Sequence, residues 1–432
     1  MNIQTEKINS ANARAKGTLG KELLAQKLDK ISKNAAKNMK VDGFRKGKVP
    51  AHVIKARYGE KLQEDAEREA IQELLDHALK ELGIEPSKLI GDPRITEYKR
   101  HENGIDVEIK LGIAPEITLK ESITYVPEFE LRAPSEEEID KRIVELAKAK
   151  APLVNASEGK SVEEGDFVKI DFEGFLGDEP FEGGKAENYL LQIGSNSFIP
   201  GFEAQLIGMK AGEKRDIQVR FPDEYGAPNL AGKEATFKIT LHEIQVRGEQ
   251  AIDEEFAKSV LQGEKEPSLA LLKERVKEQL ANEKKAELYN SELKGKLIDN
   301  LIEALSFDLP EMVVEQEMDL AFRNALNSLS KEEVEALRND QEAVKAKREE
   351  HREGAARSVK VTFIVDALAK VEGIGVSDDE LMQTIYYESM AMGQNPKEMV
   401  EYYSKNNLIP AVRMAMLEDK LLTHLLDKRI KG

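Results

Sequence analysis

Cysteine is absent from all 432 residues. Its absence removes disulfides, thiolate metal sites and a cysteine nucleophile, and it suits a reducing compartment. No run of ~18 apolar residues occurs, so no helix is expected to span a membrane. The opening stretch, "MNIQTEKINSANARAKG", lacks the apolar segment of a secretory signal. A cytoplasmic location is therefore expected. Low-complexity tracts and simple internal repeats are also missing. Aromatic residues are scarce, at 6%, so a region where they cluster stands out.

Apolar residues make up 40% of the chain, enough for cores of normal size, and charged residues 34%. The length suggests about three domains at ~150 residues each. A net charge of −17 argues against non-specific nucleic-acid binding by the whole molecule. The charge is uneven, however. Residues 1–58 hold 14 Lys/Arg against 4 Asp/Glu, a net +10, which leaves −27 on the remainder. Such asymmetry points to one end meeting a polyanion.

Helices are expected over 20–40 and 60–82. In the second, Ala66, Ala70, Leu74, Ala78 and Leu82 recur every fourth residue, and Gly83 suits the position that ends it. The stretch "RITEYKRHENGIDVEIKLGI" reads as two strands around Asn103-Gly104. Residues 1–115 thus suit a compact α+β domain. Ser135 and Glu138 have capping-box spacing for a helix to about Ala149. From 151 to 246 glycines, aromatics and short alternating strands cluster. From 250 onward the four-residue spacing returns, at Leu272, Val276 and Leu280 and at Leu293, Leu297, Leu301 and Leu305. Pro310 can open a further helix. Residues 330–360 read as a charged helical arm.

Between the first two helices lies "VDGFRKGKVP", Val41 to Pro50, a basic loop with one bare phenylalanine. It is no nucleotide-binding loop: the glycine spacing is one residue short, and Val49 stands where Ser or Thr should follow the lysine. Within Ala36–Tyr58 there are seven Lys/Arg and a single acid, Asp42. Cations of this density gain by releasing counterions from RNA, and the glycines allow close approach.

The middle region carries the most specific signal. The motifs "DFEG", "FEGG", "IGSNSFIPGFE", "GMKAGEK", "FPDEYG" and "ATF" follow one another in the order of the FKBP-type peptidyl-prolyl isomerases, which the region closely resembles. The resemblance implies a curved antiparallel sheet wrapped on a short helix. It also implies a proline pocket lined by Phe172, Phe181, Tyr189, Phe198, Ile199, Phe202, Tyr225 and Phe237. Phe202 stands where many such enzymes carry tryptophan, and Glu182 where many carry aspartate. Conjugation sets the amide rotation barrier at ~18–20 kcal/mol. A dry aromatic lining suits the less polar, twisted amide. No metal, nucleophile or cofactor is expected.

An isomerase region preceded by helix–"GFRKGKVP"–helix and followed by a long charged helical region resembles the trigger factor family over essentially the full chain. The resemblance implies that Phe44, Arg45 and Lys46 dock on the ribosome, supported by Gly43, Gly47, Lys48 and Pro50. The implied fold is multi-domain α+β. It consists of an N-terminal α+β ribosome-binding domain at 1–115, an inserted FKBP-like β domain at 151–246, and an all-α chaperone domain with arms at 247–432. A connector at 116–150 packs with the last of these. Six of the eleven methionines, Met382, Met390, Met392, Met399, Met414 and Met416, fall near the end of the chain. Tyr386, Tyr387, Tyr402 and Tyr403 interleave with them. Unbranched, polarizable methionine suits surfaces that fit many partners; a methionine-padded core is the alternative for each position. The implied partners are the large ribosomal subunit near its exit tunnel, nascent and unfolded polypeptides, and no membrane. A homodimer off the ribosome stays open. Two further readings also stay open: a free isomerase whose extra domains select substrates, and a holding chaperone whose isomerase domain is inert.

Overall fold

The structure, a computed structural model, describes residues 2–38, 44, 49–338 and 340–431. The chain forms two compact units, residues 1–129 with 288–432, and residues 130–287. The first unit opens with β1 (Asn2–Asn9), β2 (Asn12–Gly20), α1 (Lys21–Asn38), α2 (Ala51–Leu82), β3 (Arg94–His101) and β4 (Gly104–Gly112). The sheet is antiparallel in the order β1-β2-β4-β3. One face is covered: Ala13, Ala15, Ile105, Val107 and Ile109 pack with Ala70, Leu74 and Ala78 of α2. Gly104 is required at the β3–β4 turn, because a Cβ there would lie 2.2 Å from the Leu19 carbonyl oxygen.

The four-residue spacing in α2 does face the core, and Gly83 ends the helix in the left-handed region at φ 66°. Two features differ from the sequence reading. The helix starts at Ala51 behind Pro50 and bends at Tyr58 (φ −128°, ψ 19°), just before Gly59. The β1–β2 hairpin was not anticipated. Its inward positions Ala11, Ala13 and Ala15 alternate with outward Arg14 and Lys16, but alanine is a weak strand former, so the alternation is muted.

The second unit contains α3 (Glu136–Lys150), β5 (Leu153–Asn155), β6 (Phe167–Leu176), β7 (Glu179–Gln192), α4 (Phe202–Leu206), β8 (Lys214–Arg220), β9 (Glu234–Arg247), α5 (Glu254–Val260) and α6 (Leu269–Leu288). The expected capping box is present: the Glu138 amide donates to Ser135 Oγ, and the Ser135 amide donates to the Glu138 carboxylate at 2.7 Å. Ile139, Ile143 and Ala147 of α3 pack on Phe256, Leu272 and Val276. The antiparallel sheet runs β5-β9-β6-β7, with β8 also on β9. Val168, Ile170, Leu191, Ile217 and Ile239 are buried in one cluster with Phe202 and Leu206 of the short α4.

The first unit resumes with a π-type turn at Tyr289–Leu293 and then α7 (Lys294–Ala304), α8 (Glu311–Leu326), α9 (Lys331–Arg338), α10 (Gln341–Glu349), α11 (Arg352–Glu372), α12 (Asp378–Ala391), α13 (Pro396–Lys405) and α14 (Ile409–Lys431). Leu293, Leu297, Leu301 and Leu305 are buried with Ile364, Leu368, Leu421 and Leu425, and Tyr125 and Val126 complete the cluster. A polar knot fixes the same segment. Ser122 Oγ donates to Glu372 at 2.5 Å, and Lys428 Nζ reaches both Glu372 oxygens at 3.1 Å. Among the described residues, no helix is long and apolar enough to cross a membrane.

Candidate functional site

The chemistry-bearing cleft lies at one end of the β6–β9 sheet. It holds about 620 Å³ and is lined by Phe172, Phe181, Phe198, Ile199, Phe221, Tyr225, Leu230 and Phe237, together with Pro200, Pro222 and the Glu182–Gly184 turn. Glu182 is the single charged side chain in that lining among the described residues. Water loses partners in such a space, so the less polar, twisted form of an amide is disfavoured less there than in water.

The rings hold one another edge to face, the arrangement favoured by aromatic quadrupoles. Phe172 meets Phe198 at 5.4 Å between centroids and 85°, and Phe237 at 6.2 Å and 61°. Phe181 meets Phe221 at 5.8 Å and Phe237 at 5.7 Å. Two glycines make room for Phe181. A Cβ on Gly174 would lie 2.5 Å from its ring, and one on Gly184 would lie 2.7 Å from it. The glycines of "DFEG" and "FEGG" are thus explained by a ring lying across them.

Six of the eight residues named from sequence line the cleft: Phe172, Phe181, Phe198, Ile199, Tyr225 and Phe237. The other two sit around it. Phe202 is fully buried beneath, tilted against Phe198 at 4.4 Å and edge-on to Phe237 at 5.3 Å. Tyr189 is 41% exposed and braces Phe172 and Phe198 from the outer side. Sequence reasoning passed over Phe221 and Leu230. Phe221 opens the "FPDEYG" motif and stacks on Tyr225 at 4.8 Å, so the motif did contain it.

Glu203 was missed as well. It is nearly buried, at 8% exposure. Its carboxylate accepts the amides of Gly194 (2.7 Å), Asn196 (3.2 Å), Ser197 (3.0 Å) and Phe198 (3.3 Å). Burial alone would raise its pKa. The amides of Asn196, Phe198 and Gly194 outweigh burial and hold the carboxyl below its ordinary value. The anion therefore fixes the loop that delivers Ser197 and Phe198 to the cleft.

Of the basic-loop residues, Gly43, Arg45, Lys46, Gly47 and Lys48 lie outside the described residues. Phe44 is 40% exposed. Pro50 precedes α2 with φ −63° and ψ 139°. Val49 is buried beside Ala36, Ile54 and Leu62, which anchors the loop's exit in a small core of its own.

The six methionines divide evenly. Met382, Met390 and Met392 are 41%, 59% and 70% exposed. On α12, Met382, Tyr386 and Met390 form a solvent stripe beside the buried row of Leu381, Ile385 and Ser389. Met399, Met414 and Met416 are half-buried, and Met414 packs against the helical core.

Family comparisons agree with this architecture. The model described as bacterial trigger factor protein matches residues 1–146, and that of its C-terminus matches 268–427. The model of FKBP-type peptidyl-prolyl cis-trans isomerases matches residues 158–242. Trigger factor of Wolinella succinogenes is 78% identical over 432 residues, covering all of both chains. That of Helicobacter hepaticus is 52% identical, covering 100% of this chain and 97% of its own. A solved structure of the trigger factor chaperone, studied for promiscuous substrate recognition in folding and assembly, matches at 25% identity and a TM-score of 0.61 over 99% of both chains. The chain belongs to the trigger factor family, chaperones that carry an FKBP-type peptidyl-prolyl cis-trans isomerase domain.

Proposed function

We propose that the chain is a cytoplasmic, ribosome-associated chaperone that binds nascent polypeptides at the exit tunnel, holds them open and isomerises their X–Pro bonds in the aromatic cleft. The observation that carries the enzymatic part is the cleft itself, a largely aromatic wall with Glu182 as its one charged side chain among the described residues. A proline ring enters against Phe172, Phe198 and Phe237, and Ile199 and Tyr225 close over the preceding residue. Rotation about the C–N bond breaks its conjugation and lowers the polarity of the carbonyl. The apolar wall stabilises that twisted form more than the planar one, and each ~1.4 kcal/mol of such preference gives tenfold in rate. Phe202 and Tyr189 act as positioning residues through Phe198. No proton or electron changes place.

Docking is assigned to the loop, with Phe44, Arg45 and Lys46 contacting the large subunit and Gly43, Gly47, Lys48 and Pro50 shaping the approach. The net +10 of residues 1–58 and the exposure of Phe44 support this reading. Client holding is assigned to the methionine-bearing helices, led by Met382, Met390 and Met392, with Met399, Met414 and Met416 at the margin. The domains are assigned as 1–115 for docking, 116–150 as connector, 151–246 for isomerisation and 247–432 for holding. Self-association off the ribosome is an accompanying proposal, testable by sedimentation.

The test combines two measurements. A Phe44→Ala, Arg45→Ala, Lys46→Ala variant should lose co-sedimentation with 70S particles and keep its isomerase rate on a short Leu-Pro peptide. Tyr225→Ala should do the reverse. Wild-type sedimentation of the loop variant would sink the docking assignment, and a wild-type rate for Tyr225→Ala would sink the pocket assignment.

A further inference from the structure

The loop is not the whole basic surface of the N-terminal region. Helix α1 buries Ser32 and Ala36. At 100° per residue, Lys30, Lys33 and Lys37 fall together on the opposite side, and all three are exposed. Lys55 of α2 joins them. Its Nζ lies 3.4 Å from Asp29 Oδ1, while Lys33 Nζ holds Asp29 Oδ2 at 2.7 Å. One carboxylate is thus shared by two ammonium groups. Lys30 and Lys37 have no ion-pair partner among the described residues. The nearby acids of α2 lie toward Lys27, whose Nζ is 2.5 Å from Glu73 and 3.9 Å from Glu69, and Glu73 also feels the charge of Lys30. Counting Lys27 with Glu69 and Glu73, five cations meet three acids, which leaves this face at +2 on a molecule whose total is −17.

We infer that the outer face of α1, with Lys30, Lys33, Lys37 and Lys55, is a second docking surface that lies along a phosphate backbone of ribosomal RNA, beyond the loop. The inference rests on the reading of the chain as ribosome-associated, and it assigns a different surface and a different kind of contact. The loop offers a phenylalanine and a tight turn, suited to one pocket. Helix α1 offers point charges spaced along about one and a half to two turns, ~10 Å at 1.5 Å per residue. That spacing suits successive phosphates and no single base. Lysine is a strongly hydrated point charge on a flexible stem, so the contact adds affinity without sequence preference. The clustering also fits the Val49–Ile54 mini-core, which ties the end of α1 to the start of α2 and so keeps Lys55 beside the α1 lysines.

The test is the salt dependence of binding to 70S particles, using the full chain. Each phosphate contact contributes about 0.7–0.9 to the slope of log affinity against log salt. A Lys30→Gln, Lys37→Gln variant should bind more weakly at low salt, with the slope reduced by about 1.4–1.8. Its deficit should then shrink roughly tenfold between about 50 and 200 mM salt. Asp29→Asn should act in the opposite direction, tightening binding and steepening the slope. Lys405→Gln, on exposed α13, should leave the slope at the wild-type value. The loop triple variant separates the two readings, because its binding reports on the loop whatever α1 does. An unchanged slope in Lys30→Gln, Lys37→Gln overturns the inference. A loss of affinity equal at all salt concentrations overturns it too, since that would mark a contact with protein.

Discussion

Gly174→Ala probes the cleft without removing any group from it. The added methyl would meet the Phe181 ring at 2.5 and 2.6 Å and the Phe237 ring at 2.7 Å. Carbon atoms in contact sit at about 3.5–4.0 Å, so one or both rings must retreat by roughly 1 Å. Phe181 has little freedom to do so. Its other edge lies over Gly184, and Phe221 and Phe237 bracket it edge-on at 5.8 and 5.7 Å. Overpacking of this kind typically costs about 1–3 kcal/mol. Because both displaced rings line the cleft, a comparable share should appear in the barrier, a fall in kcat/KM of roughly tenfold or more. The assay is exchange of a short Leu-Pro peptide followed by NMR, with thermal unfolding of the full chain measured in parallel. The unfolding of the unit that carries the cleft should shift down by several degrees. A folded Gly174→Ala variant with wild-type exchange and unfolding would refute the claim that Phe181 needs both glycines.

Further outcomes follow from other sites. Glu203→Gln should leave loop amides poorly satisfied and cost about 1–3 kcal/mol near neutral pH. The folded-state carboxyl is depressed, so its contribution is complete above the unfolded value near ~4.3 and fades as pH falls through the folded value. The gap between wild type and Glu203→Gln should therefore narrow below about pH 4, and a gap constant with pH would contradict the anion's role. Glu372→Gln should weaken the Ser122–Lys428 knot and follow the same acid dependence, since the Ser122 hydroxyl and then Lys428 depress that carboxyl. Denaturant unfolding against pH would expose a failure. Met382→Ser with Tyr386→Ser and Met390→Ser should reduce suppression of client aggregation in light scattering and leave peptide exchange untouched. Unaltered holding would remove α12 from the client surface.

How far the sequence went depends on the range over which each signal acts. The capping box at Ser135, the left-handed stop at Gly83 and the leucine rows of α6 and α7 are local, and each was readable. The start of α2 was hidden because Pro50 looks like part of the loop while serving as the helix boundary. The β1–β2 strands were hidden because alanine fills their inward positions. In the cleft, motif order placed most of the wall. Depth was not readable: Phe202 and Phe198 look alike in sequence, yet one is floor and the other wall. Nothing in its local sequence sets Glu203 apart, and only folding shows four amides converging on it.

The first unit is discontinuous, and that has a consequence for its own synthesis. Tyr125 and Val126 leave the ribosome early, but their partners from Leu293 to Leu426 lie beyond the whole second unit. At ~5–20 residues per second, the 158 residues from 130 to 287 delay those partners by roughly 8–32 s. The N-terminal sheet can close on α2 during that interval, because its core draws only on residues before 114. The second unit is contiguous and can also fold before the helices arrive. The segment around Tyr125 cannot. A protein of the chaperone class thus spends part of its own birth with an exposed aromatic stretch awaiting cover, and truncation after residue 287 should leave that stretch sensitive to protease while the sheet and the isomerase domain resist.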